Sequence, residues 1–229
     1  VVVLSHFMRQ RVMRAHGIPA ERIVIVPGAA DPRAFGLGQD RKAAKTALNL
    51  PQDRTVFFTV RNLVPRMGLE NLLNAVEMIG LARHKWMLVI GGEGPLRKQL
   101  QIDIQRKGLS DVVQLTGFIP EVQLSQYYQA ADLVVMPSLQ LEGFGLVMVE
   151  ALACGTPVLG TPVGAIPEIL NQVDPILVAD STDGPSIAQA LERVLRRLQQ
   201  PGEADRLAQK GRALVEHRYN WTQHCVELT

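Results

Sequence analysis

The chain has few cysteines, few aromatic residues, little net charge and no long apolar run. The two cysteines among its 229 residues, Cys154 and Cys225, show no metal-ligand spacing and are too few for a disulfide framework. A formal net charge of +2, with no basic cluster among the aromatic residues, argues against nucleic-acid binding. No apolar stretch could span a bilayer, and no signal peptide is recognisable. We therefore expect a globular domain in the cytoplasm, with peripheral membrane contact left open.

Common catalytic and metal-binding signatures are also missing. No histidine pair has helical metal-ligand spacing, so the sequence predicts no metal site. The histidines are scattered along the chain, at His6, His16, His84, His217 and His224. The stretch GGEGP, residues 91–95, lacks the Lys-Ser/Thr ending of an NTPase phosphate loop. Ser5, Ser138 and Cys154 stand in no recognisable nucleophile motif, so no protein nucleophile is predicted.

Short apolar runs alternate with amphipathic stretches over most of the chain. The runs that predict strands are 22–26, 55–60, 86–91, 112–116, 132–136, 157–160 and 176–178. The stretches that predict helices are 41–48, 69–79, 95–107, 122–130, 145–154 and a tail from Pro185 onward. Near-continuous apolar strands separated by helices are typical of a buried parallel sheet. We therefore predict an α/β fold, a Rossmann-like parallel sheet with helices on both faces.

Glycine-rich loops follow four of the predicted strands. They are RNLVPRMG (61–68), GGEGP (91–95), GFIP (117–120) and PSLQLEGFG (137–145). In a doubly wound sheet, ligands bind beyond the carboxyl ends of the strands, where the strand order reverses. Glycine lets backbone amides approach a ligand closely, although it also simply ends strands and caps helices. These loops are the predicted site region.

Two acidic residues stand in the most apolar part of the chain, residues 141–160. Glu150 lies inside a predicted helix, where its carboxylate must be paired with an arginine, hydrogen-bonded or reserved for a ligand's hydroxyl groups. Glu142, in the preceding loop, is either a solvated acid or a ligand contact. Between them, residues 143–145 present amides at a helix N-terminus, which favours a phosphate. This order of groups suits a sugar, a phosphate and a ribose.

Two arginines, Arg61 and Arg66, follow the predicted strand 55–60. At the end of a buried strand they would neutralise a diphosphate with forked donors. Surface arginines are common, however, and either one can equally be an exposed residue without a ligand.

Five segments of the chain resemble one known family in composition and order. They are ERIVIVPGAADPRAF, VRNLVPRMGLENLLNAV, MLVIGGEGPLRKQL, VVQLTGFIPEVQLSQYYQAADLVVMPS and EGFGLVMVEALACGTPVLGTPVGAIPEIL. The last contains a paired-glutamate motif, with seven residues between Glu142 and Glu150. Together they are similar to the retaining glycosyltransferases of family 4, which have the GT-B fold. The resemblance covers nearly the whole chain.

The resemblance implies an enzyme that moves a sugar from a nucleoside diphosphate to an acceptor hydroxyl, with retention at the anomeric carbon. It implies no cofactor and no metal, because the nucleoside-diphosphate sugar is itself the donor substrate. Arg61 and Glu142 would be the catalytic residues, while Glu150 and Ile119 would bind the nucleoside. The residues implied to bind the donor sugar and diphosphate are Arg61, Arg66, Phe144, Gly145 and Leu146.

The same resemblance implies a domain organisation and a set of partners. Residues 1–20 would be the end of a missing N-terminal domain and its connection, and 21–216 the C-terminal nucleotide-sugar-binding domain. Residues 217–229 would begin a terminal crossover helix. The expected partners are a nucleotide sugar, an acceptor that is a sugar, lipid or small molecule, and the missing N-terminal domain. Alone, the chain is expected to bind nucleotide without transferring sugar.

The sequence departs from the family pattern in the loop after residue 60. Met67 stands where the family usually has lysine, and Val60 where glycine is common. A methionine cannot neutralise phosphate, so the leaving-group role would rest on Arg61, helped by Arg66. We interpret this as a subfamily variation. Two other functions stay open: a sugar phosphorylase or nucleotide-sugar epimerase on the same scaffold, and a non-catalytic nucleotide-sugar-binding module.

Overall fold

The computed structural model describes residues 1–31, 33–36, 38, 40–79 and 82–228. Within these residues, seven strands form two parallel sheets. They are β1 (Val2–Val3), β2 (Val24–Ile25), β3 (Thr55–Val60), β4 (Trp86–Gly91), β5 (Val113–Gly117), β6 (Leu133–Met136) and β7 (Val158–Gly160). The main sheet has the order β5-β4-β3-β6-β7, and β1 pairs with β2 separately.

Helices cover both faces of the main sheet. They are α1 (His6–His16), α2 (Arg41–Ala47), α3 (Leu69–Met78), α4 (Arg97–Arg106), α5 (Glu121–Ala130), α6 (Leu146–Ala153), α7 (Ile166–Val173), α8 (Gly184–Leu198), α9 (Glu203–Arg218) and α10 (Trp221–Leu228). α3 packs against α4 and α8, whereas α5 packs against α2 and α6, and α6 against α9. The central strands are buried because both faces are covered, as their apolar runs predicted. The predicted fold class is confirmed.

The strand order reverses beside β3. The chain runs from β3 outward to β4 and β5, then returns to the other side of β3 to form β6 and β7. Phe57 and Phe58 of β3 pair in register with Leu133 and Val134 of β6. Loops leaving β3 and β6 therefore diverge at a topological switch point, where doubly wound folds form ligand clefts.

Two predicted strands differ from the structure. The strand expected at 176–178 is wrong: Pro175–Leu177 forms a 3₁₀ turn, and Val178 makes only an isolated bridge to Gly160. Pro175 has no N–H to give to a ladder, and the Asp174 carboxylate accepts from Ile176 N–H at 3.1 Å, which tightens the turn. The strand expected at 22–26 is shorter, because Ala20–Arg22 forms another 3₁₀ turn.

The C-terminal tail contains a helix break between α9 and α10. Position 217, the predicted start of the terminal helix, lies in the last turn of α9. α10 begins at Trp221, where Asn220 Oδ1 accepts from Gln223 N–H at 2.9 Å and so caps the new helix. Thr229, the last residue of the predicted terminal segment, lies outside the described residues.

The beginning of α1 packs against the loop that follows β6 and against α7. Ser5 caps α1 and donates from Oγ to the carbonyl of Gly143 at 2.6 Å. Glu168 on α7 accepts from the amides of His6 and Phe7 at 3.0 and 2.7 Å. The assignment of residues 1–20 to another domain stays a prediction. Over the described part of the chain, no helix combines the length and apolar character needed to traverse a bilayer.

Candidate functional site

A cleft of about 620 Å³ opens at the carboxyl ends of β3, β4, β5 and β6, and we name it the switch-point cleft. Its volume lies within the range of about 300–1,000 Å³ that is usual for small-molecule sites. It is lined by Leu4, Val60, Arg61, Asn62, Met67, Gly92, Glu93, Phe118, Ile119, Leu124, Glu142, Gly143, Phe144, Gly145, Leu146 and Val147. All four loops predicted to form the site contribute to it.

A buried polar cluster joins the ends of β3 and β6 in the cleft wall. Nη2 of Arg61 donates to Oε2 of Glu142 and, at 3.0 Å, to Oγ of Ser138. Ser138 donates in turn to the same carboxylate oxygen at 2.8 Å. Glu142 is only 9% exposed, so the ion pair, not solvent, satisfies its charge. The alternative of a solvated loop acid is therefore excluded for Glu142.

Among the described residues, each member of the ion pair keeps one polar atom without a hydrogen-bond partner. The hydrogen bonds of Arg61 use Nε and Nη2, and those of Glu142 use Oε2. To the described residues, Arg61 Nη1 makes no donation and Glu142 Oε1 accepts nothing. Neither atom is a buried unpaired atom. The cluster therefore presents one charged donor and one charged acceptor beside the cleft.

The sulfur of Met67 lies against the guanidinium of Arg61. Sδ accepts from Nη2 at 3.0 Å and from Nε at 3.4 Å. Met67 is the last residue of a 3₁₀ turn that begins at Pro65, and Gly68 ends that turn at φ +70°. The turn directs Met67 inward and leaves the Arg66 side chain exposed and outside the cleft lining. The structure therefore does not bring Arg66 together with the other predicted diphosphate ligands.

The backbone around Glu142 depends on close packing with the loop after β7. The amide of Ala165 donates to the carbonyl of Glu142 at 2.9 Å. A Cβ at Gly164, whose φ is +62°, would lie 2.0 Å from the same carbonyl oxygen. Glycine is therefore required at 164, both for its positive φ and for the approach of the two loops.

The amino end of α6 borders the cleft. Gly145 precedes the helix at φ +89°, and Leu146 at its first position is half exposed. The ring of Phe144 packs edge-on against Tyr219, with 5.5 Å between centroids. Phe144 is one of the residues that line the cleft. Its role as an amide donor to sugar and phosphate stays a prediction.

Glu150 lies one helical turn beyond Leu146 and is half-buried. Its carboxylate accepts a hydrogen bond of 2.7 Å from the hydroxyl of Tyr128 on α5. Burial raises the pKa of the Glu150 carboxyl; the Tyr128 bond lowers it, and the Glu121 carboxylate raises it. The sequence left an arginine ion pair, a hydrogen bond or a ligand role open for the Glu150 carboxylate. In the structure this carboxylate is hydrogen-bonded, and the ion pair with an arginine is formed by Glu142. Glu150 lies outside the residues that line the cleft.

The GFIP loop forms the opposite rim. The Ile119 side chain is buried in the cleft wall and packs against Gly91, where a Cβ would lie 2.5 Å from Ile119 Cδ1. Phe118 is 74% exposed, and its amide donates to Glu93 Oε1 at 3.3 Å. Phe118 was not a predicted site residue, although an aromatic side chain between a strand-ending glycine and Pro120 could have indicated it.

No role in the site was predicted for Met67, Ser138 or Tyr128 either. Met67 stands out in the sequence only as a departure from the family pattern, and Ser138 only as a serine outside any nucleophile motif. Neither pattern signals a contact with Arg61. Among the described residues, no three His, Cys, Asp or Glu side chains are grouped so that they could hold a metal ion.

Comparison with known proteins identifies the family. Residues 40–214 match the family model for glycosyl transferases group 1. A D-inositol 3-phosphate glycosyltransferase from Segniliparus rotundus is 36% identical over 208 residues, covering 88% of this chain and 44% of that protein. The chain spans about half the length of the curated relatives it matches.

Solved structures share the fold over the whole chain. Sucrose-phosphate synthase from Thermosynechococcus elongatus matches with a TM-score of 0.84 and 29% identity, covering 100% of this chain and 56% of that one. Anabaena HepE, solved in complex with UDP, matches with a TM-score of 0.88 and 21% identity, covering 100% and 62%. This chain belongs to the group 1 glycosyltransferase family, and its fold is that of GT-B glycosyltransferases.

Proposed function

We propose that this chain is the donor-binding domain of a retaining glycosyltransferase, and that the switch-point cleft holds a nucleoside-diphosphate sugar. The supporting observation is the buried Arg61–Glu142 pair at the switch point, in which Nη1 and Oε1 make no hydrogen bond to the part of the chain that the structure describes. A diphosphate needs a charged donor, and a sugar needs an acceptor for its hydroxyl groups. The pair offers both within one wall of a single cleft.

Different residues contact the diphosphate, the sugar and the nucleoside of the donor. Arg61 Nη1 donates to the diphosphate, and the amides of Gly145 and Leu146 at the start of α6 add neutral donors to the phosphate oxygens. Oε1 of Glu142 accepts from a sugar hydroxyl. The nucleoside extends toward Ile119 and toward Glu150, whose carboxylate accepts from the ribose hydroxyls.

The chemical step moves the sugar to an acceptor hydroxyl on the same face. The bond between the anomeric carbon and the β-phosphate oxygen breaks, and its electron pair stays on the phosphate. The acceptor oxygen forms the new bond, and its proton passes to a phosphate oxygen. Arg61 stabilises the charge that develops on the leaving diphosphate, so the protein contributes orientation and electrostatic stabilisation. The step requires no metal and no protein base.

The acceptor site belongs to a second domain of the same protein. The family membership and the coverage of about half of each curated relative support this assignment, while the UDP complex of HepE supports only the nucleotide site. The acceptor is a sugar, a lipid or a small molecule with a free hydroxyl. The 229-residue chain alone is expected to bind nucleotide without transferring sugar.

Calorimetric titration of the chain with UDP, GDP and ADP tests the donor site. We expect one of them to bind, and Arg61→Ala to weaken that binding about tenfold or more because a charge-assisted bond is lost. Arg106→Ala, which removes an exposed arginine of α4, is the matched control and should bind as the wild type does. Absence of binding for all three nucleotides would contradict the proposal.

The same titration separates the alternatives. A sugar phosphorylase would bind a sugar 1-phosphate more tightly than any nucleoside diphosphate. An epimerase, assayed as the full-length protein, would return isomerised donor without an acceptor. A binding module would bind donor in the full-length protein and yet neither transfer nor hydrolyse it.

A further inference from the structure

Tyr128 is the most enclosed large polar side chain near the cleft. It is 0% exposed, and its hydroxyl donates to Glu150 Oε2 at 2.7 Å. A phenol in the core must find a partner for its hydroxyl, but a neutral carbonyl would satisfy that need as well. Here the partner is a carboxylate that burial makes costly to ionise. Keeping the two groups together therefore lowers the stability of the fold.

The ring of Tyr128 has little freedom to move. Phe35 and Phe58 contact it edge-on, with centroids 6.0 and 5.6 Å away. The backbone carbonyl of Tyr128 accepts from Thr156 Oγ1 at 2.7 Å. A hydroxyl on so fixed a ring holds its acceptor in one place, whereas a free glutamate side chain loses rotamer entropy whenever it binds a ligand.

The bond bridges two helices that both line the switch-point cleft. Leu124 of α5 and Leu146 of α6 are lining residues. Tyr128 and Glu150 lie four residues further along α5 and α6, on the same helix faces and one turn beyond. The carboxylate is therefore held just past the cleft lining, between the helix that follows the GFIP loop and the helix that starts at Gly145.

We propose that Tyr128 is a positioning residue: its hydroxyl fixes the Glu150 carboxylate in the orientation in which the second oxygen receives the ribose hydroxyls of the donor. This inference rests on the proposed function of the cleft. Tyr128 does not touch the donor; it acts through Glu150. It also couples the two walls, because a shift of α5 moves the carboxylate with it.

Nucleotides that differ only in the ribose hydroxyls provide the test. We would titrate the chain with the tightest binder among UDP, GDP and ADP and with its 2′,3′-dideoxy analogue. The wild type should prefer the ribonucleotide. Tyr128→Phe should weaken the ribonucleotide about five- to tenfold and leave the dideoxy analogue unchanged, because the released Glu150 side chain then loses rotamer entropy when it binds the ribose. Tyr127→Phe, the neighbouring ring stacked on Phe58, is the matched control and should change neither.

A second background separates positioning from packing. In Glu150→Ala, where the carboxylate is gone, adding Tyr128→Phe should change ribonucleotide affinity less than twofold. Glu150→Asp keeps the charge and the intact tyrosine but withdraws the carboxylate from the hydroxyl by one methylene. This variant should lose the ribonucleotide preference, and it replaces Tyr128→Phe as the test if Tyr128→Phe does not fold.

Three outcomes would contradict the positioning role of Tyr128. Equal losses for the ribonucleotide and the dideoxy analogue in Tyr128→Phe would make the tyrosine a packing residue and overturn the inference. A ribonucleotide preference that survives both Tyr128→Phe and Glu150→Asp would overturn it too. A wild type without any preference would instead overturn the ribose role of Glu150 in the proposed function, and the inference with it.

Discussion

Arg61 and Glu142 come from the ends of two adjacent strands, β3 and β6, and form a buried ion pair that Ser138 bridges. The Arg61 side chain is 4% exposed and the Glu142 side chain 11%. Such a pair is costly to separate, because each partner alone is a charge without water around it. The pair thus holds together the two loops that diverge at the switch point, while it presents charge to a ligand.

Removing one partner of this pair should destabilise the fold more than removing both. Arg61→Met leaves the Glu142 carboxylate buried without its cation, which should lower the free energy of unfolding by about 3 kcal/mol. Glu142→Gln should also lower the free energy of unfolding, because it leaves the Arg61 guanidinium buried without its anion. The double variant should recover much of the loss, and urea unfolding of the four proteins measures the coupling. Strictly additive losses would show that the ion pair contributes nothing to stability.

Gly164 and Gly17 offer a clean comparison of steric clash with backbone strain. Their φ values are +62° and +63°, but a Cβ at Gly164 would lie 2.0 Å from the Glu142 carbonyl oxygen, while Gly17 has nothing within 4 Å. Gly17→Ala should therefore cost only the left-handed conformation, about 1 kcal/mol. Gly164→Ala should cost about 2–4 kcal/mol and also weaken nucleotide binding, since Glu142 must move.

Thermal or urea unfolding of both variants checks this prediction, together with nucleotide titration. If the two alanine variants lose equal stability, the loop after β7 gives way without disturbing Glu142. In that case the close approach of the two loops does not fix the carboxylate.

The strands were predictable where burial alone decides them. Residues 55–60 and 86–91 are apolar runs covered on both faces, and their bounds agree with β3 and β4. At 176–178 an equally apolar run failed to become a strand, because Pro175 and the Asp174 cap favour a turn. Hydrophobicity says that a segment is buried, but local hydrogen bonding decides which conformation buries it.

The candidate site divides in a similar way. The glycine-rich loops and the charged residues at strand ends located the cleft, because topology brings carboxyl ends of parallel strands to one edge. The partners of those charges were not predictable. Glu142 meets Arg61 across 81 positions, and Glu150 meets Tyr128 across 22, so both contacts depend on strand order and helix packing. Arg66 likewise turns outward because it lies in the 3₁₀ turn that begins at Pro65. The charge of the side chain does not reveal this orientation.

Among the described residues that line the cleft, Arg61 is the only lysine or arginine, and Met67 lies beside it. The Arg61–Glu142 pair is neutral overall, and the thioether beside it adds no charge. Met67→Lys should place an ammonium beside the pair and strengthen nucleoside-diphosphate binding about tenfold at low salt, with less gain at high salt. It should also lower the free energy of unfolding, since the new cation is buried next to a guanidinium.

Titration at two ionic strengths checks this prediction. Met67→Leu, which keeps the volume without the charge, is the control and should bind like the wild type. An unchanged affinity in Met67→Lys would place the diphosphate elsewhere in the cleft.

Glu150 should make the fold less stable at neutral pH than an uncharged residue would. Burial is the main reason why the pKa of its carboxyl lies above the ordinary value of 4.5. The folded state therefore binds this proton more tightly than the unfolded state does. The stability that the group contributes is fully present below pH 4.5 and is lost as the pH rises through the raised folded value. Glutamine does not titrate, so Glu150→Gln should unfold at higher urea than the wild type at pH 7, and the difference should shrink toward pH 4.

The control for this comparison is Glu21→Gln, an exposed carboxylate that has little desolvation to relieve. A wild type as stable as Glu150→Gln at pH 7 would mean that Tyr128 and solvent fully compensate the buried charge. A wild type that is less stable, but binds ribonucleotide better, would show that the carboxylate is kept for a ligand. Stability given up at one position and recovered as binding distinguishes a functional buried charge from a structural one.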